Sequence, residues 1–122
     1  MASRDELSRF IRSSFRSVWS LELLLLLKRD PRRWSHAEVV GALRGSDLVV
    51  SQSVEWLSAA GLVIEEDDGA VAYRPVSDDL AALVDATEAL YARRPDAVRR
   101  MIVAASTGGL AAFADAFRLR KD

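Results

Sequence analysis

The sequence predicts a mainly helical α+β fold with one small β-hairpin. Apolar residues recur at three- and four-residue spacing along most of the chain, the signature of helices with one inward face. That rhythm breaks at Leu62-Val63-Ile64, and Asp68-Gly69 marks a tight turn before Val71 to Tyr73, which is hairpin patterning. Half of the 122 residues are apolar and 29% are charged, the balance of a folded chain able to bury a core without disulfides or metal. The expected organisation is one domain over 1–122, with an N-terminal helix over 1–16, a core over 17–75 and C-terminal helices over 76–122.

Each element has its own warrant. Over residues 4–16, Leu7, Phe10, Ile11 and Phe15 share one helical face, with Arg9, Arg12 and Arg16 mostly off it. Ser17 to Arg29 is so rich in leucine that little of its surface is polar, so this helix is expected to be buried on most sides. Asp30-Pro31 stops it, because proline disfavours the helical conformation in the residue before it. Ser35 and Glu38 have capping-box spacing at the start of a short helix with Val39, Val40 and Leu43 inward, which Gly45 ends. Ser46 or Asp47 caps the next helix, to about Ala60, with Val50, Val54 and Leu57 facing in and Gly61 just past its end. Arg74-Pro75 closes the hairpin. Ser77 then starts a helix to about Arg93 with a stripe of Leu80, Leu83, Val84, Thr87, Leu90 and Tyr91. Pro95 opens a last helix with Val98, Ile102 and Ala105 on one face. Gly108-Gly109 should weaken or break it, leaving Leu110, Phe113 and Phe117 as a second short amphipathic piece.

Composition excludes several kinds of chemistry. With no cysteine and one histidine, His36, there is no disulfide framework, thiolate zinc site, thiol nucleophile or histidine-rich metal centre. Cysteine absence fits a reducing compartment. The longest apolar runs, Leu23 to Leu27 among them, have five residues, where a membrane span needs about 20. The first ten residues carry Arg4, Asp5, Glu6 and Arg9 and no apolar stretch, so no secretory signal is expected. The expectation is a soluble cytoplasmic protein without a membrane association.

The net charge of −1 hides a segregation. Residues 1–33 hold eight basic and four acidic side chains, residues 34–92 two basic and eleven acidic, and residues 93–122 seven basic and three acidic. The ends are positive and the middle is negative.

Helix, helix, tight turn, helix and two-stranded wing, in that order, is the winged helix-turn-helix plan. The stretch from Gly45-Ser46-Asp47 through Val50-Ser51-Gln52-Ser53-Val54-Glu55-Trp56-Leu57 to Gly61-Leu62-Val63 resembles the third helix and wing entry of MarR-like and related bacterial transcription regulators. Leu57, Gly61, Leu62 and Val63 stand where that pattern wants them. The resemblance covers roughly residues 17–75 and implies a winged helix-turn-helix with additional N- and C-terminal helices. It also implies a DNA-binding transcription regulator acting as a homodimer, with the terminal helices building the dimer. Double-stranded DNA is then the expected partner. By position, Ser46, Ser51, Gln52, Glu55 and Trp56 would face the major groove, with Arg44 and Arg74 beside them and Arg32 and Arg33 in the densest basic patch, Lys28-Arg29-Asp30-Pro31-Arg32-Arg33-Trp34. Gln52 suits a bidentate contact to adenine.

The chemistry of the same residues argues the other way. DNA affinity comes largely from lysine and arginine neutralising phosphates. Ser46 to Ala60 contains neither, but does contain Asp47 and Glu55, and the wing turn is Glu65-Glu66-Asp67-Asp68. Such a cluster repels phosphate by several kT at low salt. Val49, Gln52 and Trp56 share a face turned away from Val50, Val54 and Leu57, which reads as a protein-contact face with tryptophan as anchor. Alternatively, Trp56 packs beneath the wing or against a terminal helix. Two features favour DNA nonetheless: Arg9, Arg12 and Arg16 recur about once per turn, and the patch over residues 28–33 is strongly basic. The second reading is therefore a winged helix serving as a protein–protein interaction module.

No enzyme is expected. Asp78, Asp79 and the acids at 65–68 lack the spaced oxygens of a calcium loop. Thr107-Gly108-Gly109 lacks the lysine and preceding strand of a phosphate-binding loop. Ser35, His36 and Glu38 are consecutive at a helix start and form no catalytic relay. No catalytic residue, metal ligand or cofactor is assigned.

Overall fold

Serine caps set most of the helix starts. The computed structural model describes residues 3–105. Helix α1 (Arg4–Ser14) is capped by Ser3, whose hydroxyl accepts from the Glu6 N–H. In α2 (Val18–Arg29) Ser17 and Ser20 form a reciprocal capping box. Ser35 and Glu38 do the same for α3 (His36–Leu43), as their spacing predicts. Ser46 caps α4 (Asp47–Ala59) and Ser77 caps α5 (Asp78–Arg93). Each such cap satisfies a backbone N–H that the helix itself leaves free. A further helix, α6, begins at Pro95 and is described to residue 105. Gly108-Gly109, the Thr107 motif and the stretch from Leu110 to Phe117 lie outside the described residues.

Strands β1 (Val63–Glu65) and β2 (Val71–Tyr73) pair antiparallel, with Val63 opposite Tyr73 and Glu65 opposite Val71. Gly69, at φ 88°, closes the turn. Trp34, just before α3, adds a single bridge to the hairpin edge: its N–H and carbonyl each bond Val71 at 2.8 Å. The result is a mainly helical chain with a small two-stranded antiparallel sheet.

Helix α2 is the centre of the molecule. Leu21, Leu23, Leu24, Leu25 and Leu27 have no exposed surface, and the helix packs on α3, α4 and β2. Leucines on so many sides leave little polar face, so neighbours cover most of the helix. From α4 come Val50, Val54 and Leu57, and from the hairpin Leu62, Val63 and Val71. Helix α1 contributes Phe10 and Ile11 and packs on α5, whose Val84 and Tyr91 complete that side with Val98 and Ile102 of α6. The Tyr91 hydroxyl bonds the Glu22 carboxylate, tying α5 to α2. No described helix is long and apolar enough to cross a membrane.

Some boundaries differ from the expectation. Helix α1 stops at Ser14, and Phe15 is extended (φ −112°, ψ 112°), which turns its ring into the core edge-on to Phe10. The left-handed residue after α3 is Arg44, at φ 55°, not Gly45. The first strand starts at Val63, with Leu62 as a buried residue of the turn.

Candidate functional site

Helix α4 presents two very different faces. Val50, Ser53, Val54 and Leu57 are buried against the core. Leu48, Ser51, Gln52, Glu55, Ser58 and Ala59 are exposed, and Val49 and Trp56 are half-buried on one flank. This separation follows from helical spacing: positions four and seven after Val50 face inward with it. Leu48 keeps 66% of its surface accessible, unusual for a leucine that no neighbour covers.

The two flanks of α4 have different neighbours. On one, Ser51, Glu55, Ser58 and Ala59 share a shallow depression with Glu65 of β1. On the other, the corner between α1 and α2 closes in. The Arg16 guanidinium lies 5.6 Å from the Trp56 ring centre, within cation–π range. Trp19, 42% exposed, sits beside Gly45 at the start of α4: a Cβ on that glycine would lie 3.8 Å from the indole ring. Trp56 is thus half-buried beneath Arg16, and a second tryptophan extends the apolar surface. Trp19 is hard to single out in the sequence because it stands in a run whose other members are almost all core.

The basic patch over residues 28–33, expected to meet phosphate, is engaged within the chain. Lys28 Nζ bonds Glu88 at 2.7 Å and lies 3.2 Å from Asp85, and Arg29 Nε bonds the other Glu88 oxygen at 3.3 Å. The bond from Lys28 is the main reason the Glu88 carboxyl is held below its usual range. Arg32 bonds Asp30 at 3.0 Å and Glu38 at 3.2 Å and stacks 3.8 Å from the Trp34 ring. Arg33 reaches across to the hairpin, where its Nη2 lies 2.7 Å from Glu66 and 2.6 Å from Asp68. The Ala70 backbone N–H and then Arg33 hold Asp68 below the ordinary carboxylate range. The densest basic patch of the sequence therefore neutralises acids of α5, the α3 cap and half of the acids over residues 65–68.

Arg44 and Arg74 are different. Both are exposed, at the N-terminal side of α4 and the foot of the hairpin, and neither has a carboxylate within ion-pair distance among the described residues. Ser46 is committed to capping through its hydroxyl, which accepts from the Val49 N–H at 3.1 Å. Ser51 and Gln52 are the free polar groups of the outer face. His36 Nε2 lies 3.3 Å from Asp47 Oδ1, linking the starts of α3 and α4. Among the described residues no group of three or more His, Asp or Glu side chains is placed to hold a metal ion.

No protein-family model matches this chain, and neither does any curated protein or solved structure.

Proposed function

We propose that the chain is a winged-helix module that works by protein contact, with the outer face of α4 and the Trp19 corner as its docking surface. The observation that carries this is the makeup of that face. Leu48, Val49, Trp56 and Trp19 supply apolar area, Ser51 and Gln52 supply hydrogen bonds, and Asp47, Glu55 and Glu65 form an acidic rim. Aromatic anchors inside a polar rim are what protein interfaces use. A phosphate backbone laid on the same face would meet carboxylates, since the lysine and arginines of residues 28–33 are held in ion pairs.

A second reading, a homodimeric DNA-binding transcription regulator, is favoured by one specific observation. Arg44 and Arg74 flank α4 with no carboxylate partner among the described residues, while Gln52 points outward between them in sequence. In that reading α1 and the residues after 76 build the dimer.

A photocrosslinking residue at Leu48 separates the two, with Ala89 on exposed α5 surface as the control. Protein adducts of one discrete mass from position 48 and not from 89 are expected. Crosslinks to nucleic acid alone would overturn the protein reading in favour of the second.

A further inference from the structure

We propose that the C-terminal segment of this same chain, residues 106–122, docks on the apolar face of α4 and occupies it in the free protein. The inference rests on reading that face as a protein-docking surface and names what covers it.

The place where the described chain stops is the first reason. Ala105 lines one small cleft together with Arg12, Ser13, Phe15 and Arg16. Arg16 in turn lies over Trp56. The segment therefore departs from beside the very corner that flanks the uncovered face. Four residues, 106–109, reach about 13 Å when extended, and the single side chain of Arg16 links that cleft to Trp56. Two of them are Gly108 and Gly109, which allow a sharp change of direction.

The pattern of the segment is the second reason. Leu110, Phe113 and Phe117 fall at i, i+3 and i+7, one face of a helix about 10 Å long. The apolar positions Leu48, Val49 and Trp56 extend over about 12 Å of α4. A stripe of three large apolar residues thus meets a face whose apolar positions, the exposed Leu48 and the half-buried Val49 and Trp56, span a similar length. Leu48 at 66% and Trp19 at 42% exposure are among the largest uncovered apolar side chains of the described structure.

Charge is the third reason. Arg118, Arg120 and Lys121 follow the apolar stripe and outnumber the segment's acids, Asp115 and Asp122. The face they would approach carries Asp47 and Glu55, with Glu65 at its edge. Entering at Trp56 and running towards Leu48, the segment brings its basic end to Asp47 rather than to the arginines of α1. The consequence is an internal strap: an outside partner gains access to α4 only by displacing it.

The test uses the full chain. Because the sequence has no cysteine, Ala112→Cys carries a single nitroxide, on the side of the segment away from Leu110, Phe113 and Phe117. The readout is relaxation of the three tryptophan indole N–H signals. Trp19 and Trp56 are expected to broaden strongly, and Trp34, buried beside the hairpin, to broaden less. Adding Leu48→Asp should remove most of the selectivity, and Leu48 is exposed enough for that change to leave the fold intact. Equal or absent broadening of the three signals overturns the strap. So does broadening seen only when spin-labelled chains are mixed with isotope-labelled, nitroxide-free chains, which places the segment on a second copy. Either failure is distinguishable from failure of the docking reading, which stands while Leu48 still crosslinks a protein and falls when it crosslinks nucleic acid alone.

Discussion

Gly61→Ala tests how the hairpin is set against α4. Gly61 lies at φ +77°, where an L-residue is strained, at a cost of about 1–2 kcal/mol. Its carbonyl accepts from the Val76 N–H at 2.9 Å, so the backbone is not free to relax. An alanine Cβ would lie 2.9 Å from Val76 Cγ2 and 3.3 Å from Cγ1. Val76 is 73% exposed and can turn aside, which costs about 0.5–1.5 kcal/mol for an off-rotamer side chain. The sum is about 1.5–3.5 kcal/mol. Gly69 provides the comparison. It has φ +88°, but an alanine methyl there would meet nothing within 4 Å, so Gly69→Ala carries the backbone cost alone, about 1–2 kcal/mol. Urea unfolding followed by far-ultraviolet circular dichroism measures both. The expected order is wild type, then Gly69→Ala, then Gly61→Ala, and Val76→Ala should recover about 1 kcal/mol of the Gly61→Ala loss through coupling of the two sites. Equal costs for the two glycines, or no recovery with Val76→Ala, would refute the close approach of Val76 to the turn.

Two further predictions concern stability. The Glu88 carboxyl is held low chiefly by its bond from Lys28, so the pair stabilises the fold above the ordinary glutamate range and this contribution is lost as pH falls through the lowered folded value. Glu88→Gln should therefore cost about 1 kcal/mol at neutral pH, and its stability curve should converge with that of the wild type well below about pH 4; parallel curves at all pH would contradict the pairing. The Ser53 hydroxyl is buried in α4 without a hydrogen-bond partner among the described residues. Ser53→Ala should raise stability by about 1 kcal/mol in the same urea assay, by removing a desolvated polar group and adding a stronger helix former; a loss of that size would show that the hydroxyl is satisfied.

Much of the local structure was legible because local chemistry decides it. The capping box of Ser35 and Glu38, the caps at Ser46 and Ser77 and the Asp68-Gly69 turn act over three or four residues, and each stands where the spacing puts it. The inward set of α4, Val50, Val54 and Leu57, follows from helical period alone. The pairing of charges was not legible. Arg33 meets Glu66 and Asp68 across more than thirty positions, and Lys28 meets Glu88 across sixty. A count of charges along the chain treats such residues as independent surface, so the patch over 28–33 reads as free cation when it is counter-charge. The Trp34 bridge to Val71 was hidden for the same reason: one residue has no period. Trp19 and Leu48 were masked by their surroundings, the first inside a leucine-rich run and the second between Asp47 of the first turn and the valines. Arg44 takes a left-handed conformation although a glycine stands next to it, which residue preference alone does not show.

The most direct measurement is titration of the purified full chain with mixed duplex DNA fragments between about 50 and 200 mM salt. With carboxylates around α4 and the basic patch paired internally, no binding that strengthens steeply as salt is lowered is expected, even at the low end. Tight binding that weakens by orders of magnitude across that range would mean that Arg44, Arg74 and the arginines of α1 engage phosphate, and would contradict protein contact as the work of this face.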